Sequence, residues 1–500
     1  MNADIVFAAL AARQPNEIVL RGTGSDWNAF AIRQAVHDLA DRLAGGRVLA
    51  VLADNGPAWV IADLAALLGG LVHLPLPGFF APAQLAHALA ATAADVLLTD
   101  QPERIAALDL GFEPVDTWHG LALLRRKVDA VRLPAGTAKV SFTSGSTGAP
   151  KGVCLSAAGL MATAAALTER LADVPIARHL AALPLALLLE NVAGIYAPLL
   201  RGAVVHLPPL QQMGWQGMAG FDPAALQRAV DETAAQSLIL VPELLKAWTL
   251  YLHAKGARAP ASLQFVAVGG ARVDPGLLSQ ARALGVPAYE GYGLTECGSV
   301  VSLNRPGDTG NGVGRPLDHV AVRIEAGELK VATPAFLGYL GDALNVQDEP
   351  GEMVEFATGD LGHCDDAGHL HLNGRHKNLL ITSFGRNVAP EWVESVLLAQ
   401  PEIAQAVVAG ESRPWLNGML VPAKGSDAAG LATAVARANA ALPDYARIGG
   451  WIAVPPFTPY NGQVTGNGRP IRARILNQHA AALAALYQVE PTEEYTDVVL

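Results

Sequence analysis

Ten consecutive residues, Thr143-Ser144-Gly145-Ser146-Thr147-Gly148-Ala149-Pro150-Lys151-Gly152, hold four hydroxyls, three glycines and one lysine. Glycine lets successive backbone N–H groups turn into one concavity, which suits an anion. The hydroxyls add donors and Lys151 adds a compact positive charge. The stretch reads as a loop that closes over a polyphosphate, although the same composition also suits a solvated linker. It is not the common nucleotide-binding loop, which needs Gly before the lysine and Ser or Thr after it. Here Pro150 and Gly152 flank Lys151.

Further along, Tyr289-Glu290-Gly291-Tyr292-Gly293-Leu294-Thr295-Glu296 presents an aromatic ring, a glycine turn, a hydroxyl and a carboxylate together. Tyr292 can stack on a purine and Thr295 can donate to a phosphate oxygen. Glu296 can hold Mg²⁺, a hard ion that prefers carboxylate and phosphate oxygens. In Thr358-Gly359-Asp360-Leu361-Gly362, Asp360 offers two acceptors to the paired hydroxyls of a ribose. Arg375, in Gly374-Arg375-His376-Lys377-Asn378, offers a fork of donors for the same sugar or a phosphate. Gly269, Gly270 and Ala271 end an apolar run from Gln264, where a flat ligand could lie against the backbone.

The order T-S-G-S-T-G-x-P-K-G closely resembles the phosphate loop of adenylate-forming enzymes, the superfamily of acyl-CoA synthetases, luciferases and peptide-synthetase adenylation domains. The octet at 289–296 is similar to that family's second core motif. Phe457-Thr458-x-x-Asn461-Gly462-x-x-Thr465-x-Asn467-x-Arg469 has the shape of its C-terminal motif, most like the long-chain fatty acid branch. The resemblance covers nearly the whole chain. It implies ATP, Mg²⁺ and coenzyme A as partners in chemistry on a small carboxylic acid.

By that resemblance, Thr143, Ser144, Gly145, Ser146, Thr147, Gly148 and Lys151 hold the β- and γ-phosphates. Gly270, Ala271, Glu290, Gly291, Tyr292, Gly293, Asp360 and Arg375 surround adenosine, and Glu296 carries the metal. Lys151, Thr295, Glu296 and Arg469 form the catalytic set. Two positions depart from the pattern. Relatives carry lysine where this chain has Arg469, and arginine is wider, planar and forked. Relatives often carry a pocket histidine where this chain has Leu187, which leaves the pocket greasy.

These residues need a scaffold. Residues 1–135 alternate strands and helices, with strands at 47–52 and 71–76 and a helix at 59–68, so a parallel sheet is expected. A strand at 138–142 leads into the loop, and a helix at 160–172 follows. Then come a strand at 179–185, a helix at 190–200 and buried strands at 237–242 and 264–271. The resemblance implies an α/β fold, with a large multi-subdomain N-terminal domain over 1–377. Parallel and mixed sheets with helices and a small barrel build it. A small mobile α+β lid over 378–500 pivots at Lys377, and the loop from Gly385 swings in for the thiol step.

Five hundred residues, 51% hydrophobic and 16% charged, are enough for more than one core and too apolar for disorder. A net charge of −11 argues against nucleic acid as the main partner. Three cysteines, Cys154, Cys297 and Cys364, suggest a reducing compartment. The N-terminus lacks a secretory pattern, and the apolar window 181–189 is too short to span a bilayer, so a cytoplasmic protein is expected. His363, Cys364, Asp365, Asp366, His369 and His371 invite a metal reading. However, 365–368 reads as a hairpin turn and no tight ligand spacing is present, so no zinc is expected.

The expected reaction joins an acid to AMP with loss of pyrophosphate, then transfers the acyl group to coenzyme A. The acid is expected to be fatty or otherwise apolar. Transfer to a carrier-protein phosphopantetheine or an amine is the alternative. A third reading is an acyl-adenylate-binding protein whose adenylation is impaired by Arg469 and Leu187.

Overall fold

Val48–Leu52 is apolar and buried at every position, the mark of a strand covered on both faces. The computed structural model describes residues 4–143, 151–217, 220–308, 312–341, 352–465, 469–488 and 497–499. In it, Val48–Leu52 pairs in parallel with Val72–Pro75 and Val96–Thr99 near the middle of an eight-stranded sheet. The expected helix at 59–68 runs over Pro57–Gly69, with proline in its first turn and a left-handed Gly70 closing it. Toward one edge, Val72–Pro75 is followed by Thr137–Thr143, Lys151–Ser156 and Phe336–Tyr339. The two strands flanking the glycine-rich stretch are antiparallel, with Thr143 opposite Lys151.

A second sheet has nine strands. At its centre Arg178–Leu180, Ser237–Leu240, Phe265–Val268 and Ala288–Tyr292 run parallel in that order. The strand expected at 179–185 is only three residues long. The helix expected at 190–200 is wider than an α-helix over Glu190–Tyr196 and becomes α-helical at Ala197–Arg201. Such π-type turns are rare and favour functional sites. The part expected as a small barrel is a four-stranded antiparallel sheet ordered Ala321–Glu325, Glu328–Thr333, Val354–Cys364, Leu370–Arg375. In its hairpin Asp365 lies 3.1 Å from His371 Nε2 and 3.4 Å from His369 Nδ1.

The molecule is therefore a large N-terminal α/β domain followed by a smaller C-terminal one. The smaller domain has its own core. One apolar cluster runs from Leu380 to Trp451 and a second from Val407 to Leu486, against the sheet Ile403–Ala409, Leu416–Pro422, Ile448–Ala453 and Asp497–Val499. It touches the large domain through Lys246, whose ammonium donates to the carbonyls of Gln400 (2.7 Å) and Ile403 (2.8 Å). Among the described residues, no helix is long and apolar enough to cross a membrane.

Candidate active site

One cavity of about 2290 Å³ is bordered by Thr143, Lys151, Gly270, Ala271, Glu290, Gly291, Tyr292, Gly293, Thr295, Glu296, Asp360, Arg375 and Arg469. These come from segments more than three hundred residues apart, from Thr143 to Arg469, and the fold brings them to one wall system. The strand ends explain how. Phe265–Val268 and Ala288–Tyr292 are parallel neighbours, so Gly269-Gly270 and the 289–296 turn leave the sheet side by side. Gly293 has no alternative there, because a Cβ would sit 1.7 Å from the Ser299 carbonyl oxygen. Ser144, Gly145, Ser146, Thr147 and Gly148 lie outside the described residues.

At one end of the cavity, Asp360 is the hub. The Tyr292 hydroxyl donates to its Oδ2 (2.6 Å) and Arg375 Nε donates to its Oδ1 (2.8 Å). The sequence reading left both oxygens for a ribose. In the structure each already takes one protein donor, and each keeps a second lone pair for a sugar hydroxyl. Burial, then the Asp360 charge, pushes the Tyr292 phenol far above its ordinary range, so it stays a donor.

At the other end, Lys151 Nζ lies 3.3 Å from the centre of the Tyr339 ring, and the Tyr339 hydroxyl donates to Glu296 Oε1 (2.8 Å). Tyr339 reaches this point because its strand pairs with the one that Lys151 begins. Thr143 Oγ1 donates weakly, at 3.4 Å, to the Lys151 carbonyl. A single carboxylate beside a lysine suits Mg²⁺, which takes one or two protein carboxylates and completes its shell with phosphate oxygens and water. Sequence reasoning missed Tyr339. Its local signal is an aromatic residue beside Gly338, and nothing local says that it faces Glu296.

Arg469, from the small domain, donates through Nη2 to the Gly270 carbonyl (2.9 Å), so it spans the two domains at the Gly269-Gly270 turn. Burial in the cleft, then the like charge of Arg375, lowers its guanidinium from the usual arginine value. Part of the side chain remains open to solvent and it stays charged. Leu187 borders the same cavity among Leu183, Leu185, Leu188 and Leu189, in the greasy part expected from the sequence.

Glu290 accepts from the Val273 N–H (3.2 Å), and burial, only partly offset by that bond and by Arg272, pushes its carboxyl up to about 7. Its ordinary value is 4.5, so the fold favours the neutral acid. Stability should therefore fall as pH rises from about 4.5 through 7 and level off above that. Glu290→Gln keeps the acceptor without the charge. We expect it to remove this part of the slope, read as the difference in denaturation midpoint between variant and wild type across the window.

Known proteins share this architecture. The 2-succinylbenzoate–CoA ligase of Bacillus licheniformis is 27% identical over 396 residues, covering 75% of this chain and 78% of that ligase. The feruloyl-CoA synthase of an Amycolatopsis species is 29% identical over 457 residues, covering 83% and 88%. The solved structure of the amide bond synthetase McbA from Marinactinospora thermotolerans superposes with a TM-score of 0.75 at 25% identity, covering 95% of this chain and 99% of that one. Residues 377–491 match the C-terminal domain of AMP-binding enzymes. With residues 7–353 matching the AMP-binding enzyme family itself, the chain belongs to that family.

Proposed function

We propose that the protein activates a carboxylic acid with ATP, forming an acyl-adenylate and releasing pyrophosphate, and then passes the acyl group to coenzyme A. The observation that carries this reading is the common cavity. It gathers a lysine, a metal-type carboxylate, a nucleotide-type turn, a carboxylate–arginine pair and a cross-domain arginine. A carboxylate is a poor acyl donor, and making it reactive requires an anion to attack a polyanion. Positive charge and placement are therefore what the site must supply.

In this reading Lys151, Thr143 and the residues 144–148 hold the β- and γ-phosphates. Tyr292, Gly270, Ala271 and the turn of Glu290, Gly291 and Gly293 hold the base. Asp360, oriented by Tyr292 and Arg375, takes the ribose. Thr295 and Arg469 face the α-phosphate and the attacking carboxylate, while Glu296, oriented by Tyr339, would hold Mg²⁺. That ion would supply positive charge to the phosphate oxygens. The chain divides into 1–377 and 378–500, and the smaller part turns about Lys377 to admit the thiol.

The relatives carry names for succinylbenzoate and ferulate as well as for long-chain fatty acids. The long-chain branch expected from the C-terminal motif therefore has no special support, and the acid is better described as apolar-bodied. McbA, an amide bond synthetase, favours an amine as the second choice of acceptor. Acid-dependent exchange of labelled pyrophosphate into ATP tests the first half-reaction. Background exchange with a broad panel of acids would defeat the proposal. Supplying the acyl-adenylate to the enzyme with coenzyme A, an amine or a loaded carrier protein in turn identifies the acceptor.

A further inference from the structure

The greasy part of the cavity does not end in grease. Alternate residues of two paired strands line it, Ser237 and Ile239 opposite Phe265 and Ala267. The π-type turn contributes Ala193 from the other side. From the Gly269 rim back to the level of Ser237 is four residues of strand, or about 13 Å. At that depth stand His179 and Ser237, neighbours in register on adjacent strands. His179 Nδ1 lies 2.9 Å from Ser237 Oγ, and its Nε2 lies 3.1 Å from Glu190 Oε1. Glu190 Oε2 in turn accepts from the Leu183 N–H at 3.0 Å.

This relay is built, not incidental. Glu190, His179 and Ser237 are 0%, 2% and 5% exposed. Room for the carboxylate exists only because residue 194 is glycine, since a Cβ there would lie 2.0 Å from Glu190 Oε1. The relay fixes what Ser237 can offer. If Nε2–H donates to Glu190, Nδ1 accepts the serine proton and Ser237 Oγ keeps a lone pair for an incoming donor. If both ring nitrogens carry protons, Ser237 accepts from Nδ1–H and its own hydroxyl is left to donate. A ligand hydroxyl, which both gives and takes, satisfies either state. A second carboxylate does not fit, because among the described residues beside Ser237 no cation is left unpaired, His179 being matched by Glu190. The guanidinium of Arg201, which also borders the cavity, is spent on the carbonyls of Leu171, Val174 and Ile176.

We propose that the acid has an apolar body ending in a neutral hydroxyl, alcoholic or phenolic, which hydrogen-bonds Ser237, with His179 and Glu190 as positioning residues. The inference rests on the adenylation reading for the other end of the molecule, and two readouts separate them. The first is kcat/KM for pyrophosphate release with matched pairs of acids, ω-hydroxy against unsubstituted, and hydroxyphenyl against phenyl, over a series of lengths. The second is direct calorimetric binding of the same acids without ATP.

We expect wild type to favour the hydroxyl-ended member of at least one pair by roughly tenfold, the size of one buried hydrogen bond. Ser237→Ala should bring that ratio close to one. Glu190→Gln, which keeps the shape, should shrink it through KM rather than kcat. Equal use of both members by wild type, or an unchanged ratio in Ser237→Ala, would overturn the inference and leave adenylation standing. A preference seen in binding without any pyrophosphate release would uphold the inference and remove adenylation. Binding of neither member at any length would overturn it as well.

Discussion

Changing Arg469 to alanine is expected to slow acyl-adenylate formation by about 10²–10³-fold, the usual cost of removing one preorganised group that meets developing charge. Arg469 arrives from the small domain and is anchored on the Gly270 carbonyl, with Asp360, Glu243 and Glu296 close enough to act on its charge. It is therefore held at the Gly270 turn within reach of the Asp360 and Glu296 charges, where the proposed reaction would bring two anions together. Arg469→Lys is the sharper variant. Lysine keeps the charge but has neither the fork nor the planar reach that lets one nitrogen hold Gly270 while another faces substrate. We expect the lysine variant to lose rate as well, by less than alanine does. A large gain would instead mean that arginine here is an impairment. Acid-dependent pyrophosphate exchange measures the effect. Transfer from supplied acyl-adenylate to the thiol should fall much less, which separates a local loss from a damaged fold.

The part of this site that was legible in the sequence lies in short contiguous motifs. The 289–296 turn, the Asp360 and Arg375 segments and the two ends of the glycine-rich stretch, Thr143 and Lys151, each stand out within a few residues and border one cavity, because strand-to-loop turns are where such a sheet places its sites. The groups that orient those residues were not legible. Tyr339 meets Glu296 and Lys151 only because its strand is added to the edge of the eight-stranded sheet. His179, Glu190 and Ser237 come from three separate elements, and their conjunction depends on a turn of π type, which leaves no period of its own in the sequence. The 190–200 segment looked like an ordinary helix for the same reason. One signal was available and unused. Asp63, His73 and Lys139 each interrupt an otherwise apolar run, and a charge inside a buried element has to be paired.

Those three residues support the second large expectation. Asp63→Asn should cost the large domain about 3–5 kcal/mol, the range for removing one partner of a buried ion pair. Asp63, His73, Lys139 and Tyr196 are all 0% exposed. Lys139 Nζ donates to Asp63 Oδ1 (2.9 Å) and also bonds Asn191, while the Tyr196 hydroxyl and Asn191 Nδ2 donate to Asp63 Oδ2 (2.6 and 2.8 Å). His73 Nδ1 lies 2.5 Å from Asp63 Oδ1. Burial pushes the Asp63 carboxyl up, but Lys139 and then His73 outweigh it and hold it far below the carboxylate range. A depressed carboxyl contributes stability above its ordinary value of 3.8 and loses it only as pH falls toward the lower folded value. Asp63 itself adds no pH dependence above about pH 5, but without its charge burial pushes Lys139 and His73 further toward their neutral forms, so the penalty of the variant should shrink as pH rises. Substituting Lys139→Met together with Asp63→Leu removes both charges, and it should recover much of the loss even though Tyr196 and Asn191 are left short of a partner. The consequence reaches the site. Lys139 stands on the strand Thr137–Thr143 that leads into the glycine-rich stretch, while Asn191 and Tyr196 stand on the π-type turn that lines the apolar part of the cavity through Ala193. Asp63 thus ties the strand that leads into the glycine-rich stretch to the π-type turn. Calorimetric unfolding should show the lost stability, and a raised KM for ATP in Asp63→Asn, with the small domain's transition unmoved, would show that the tie sets the geometry as well.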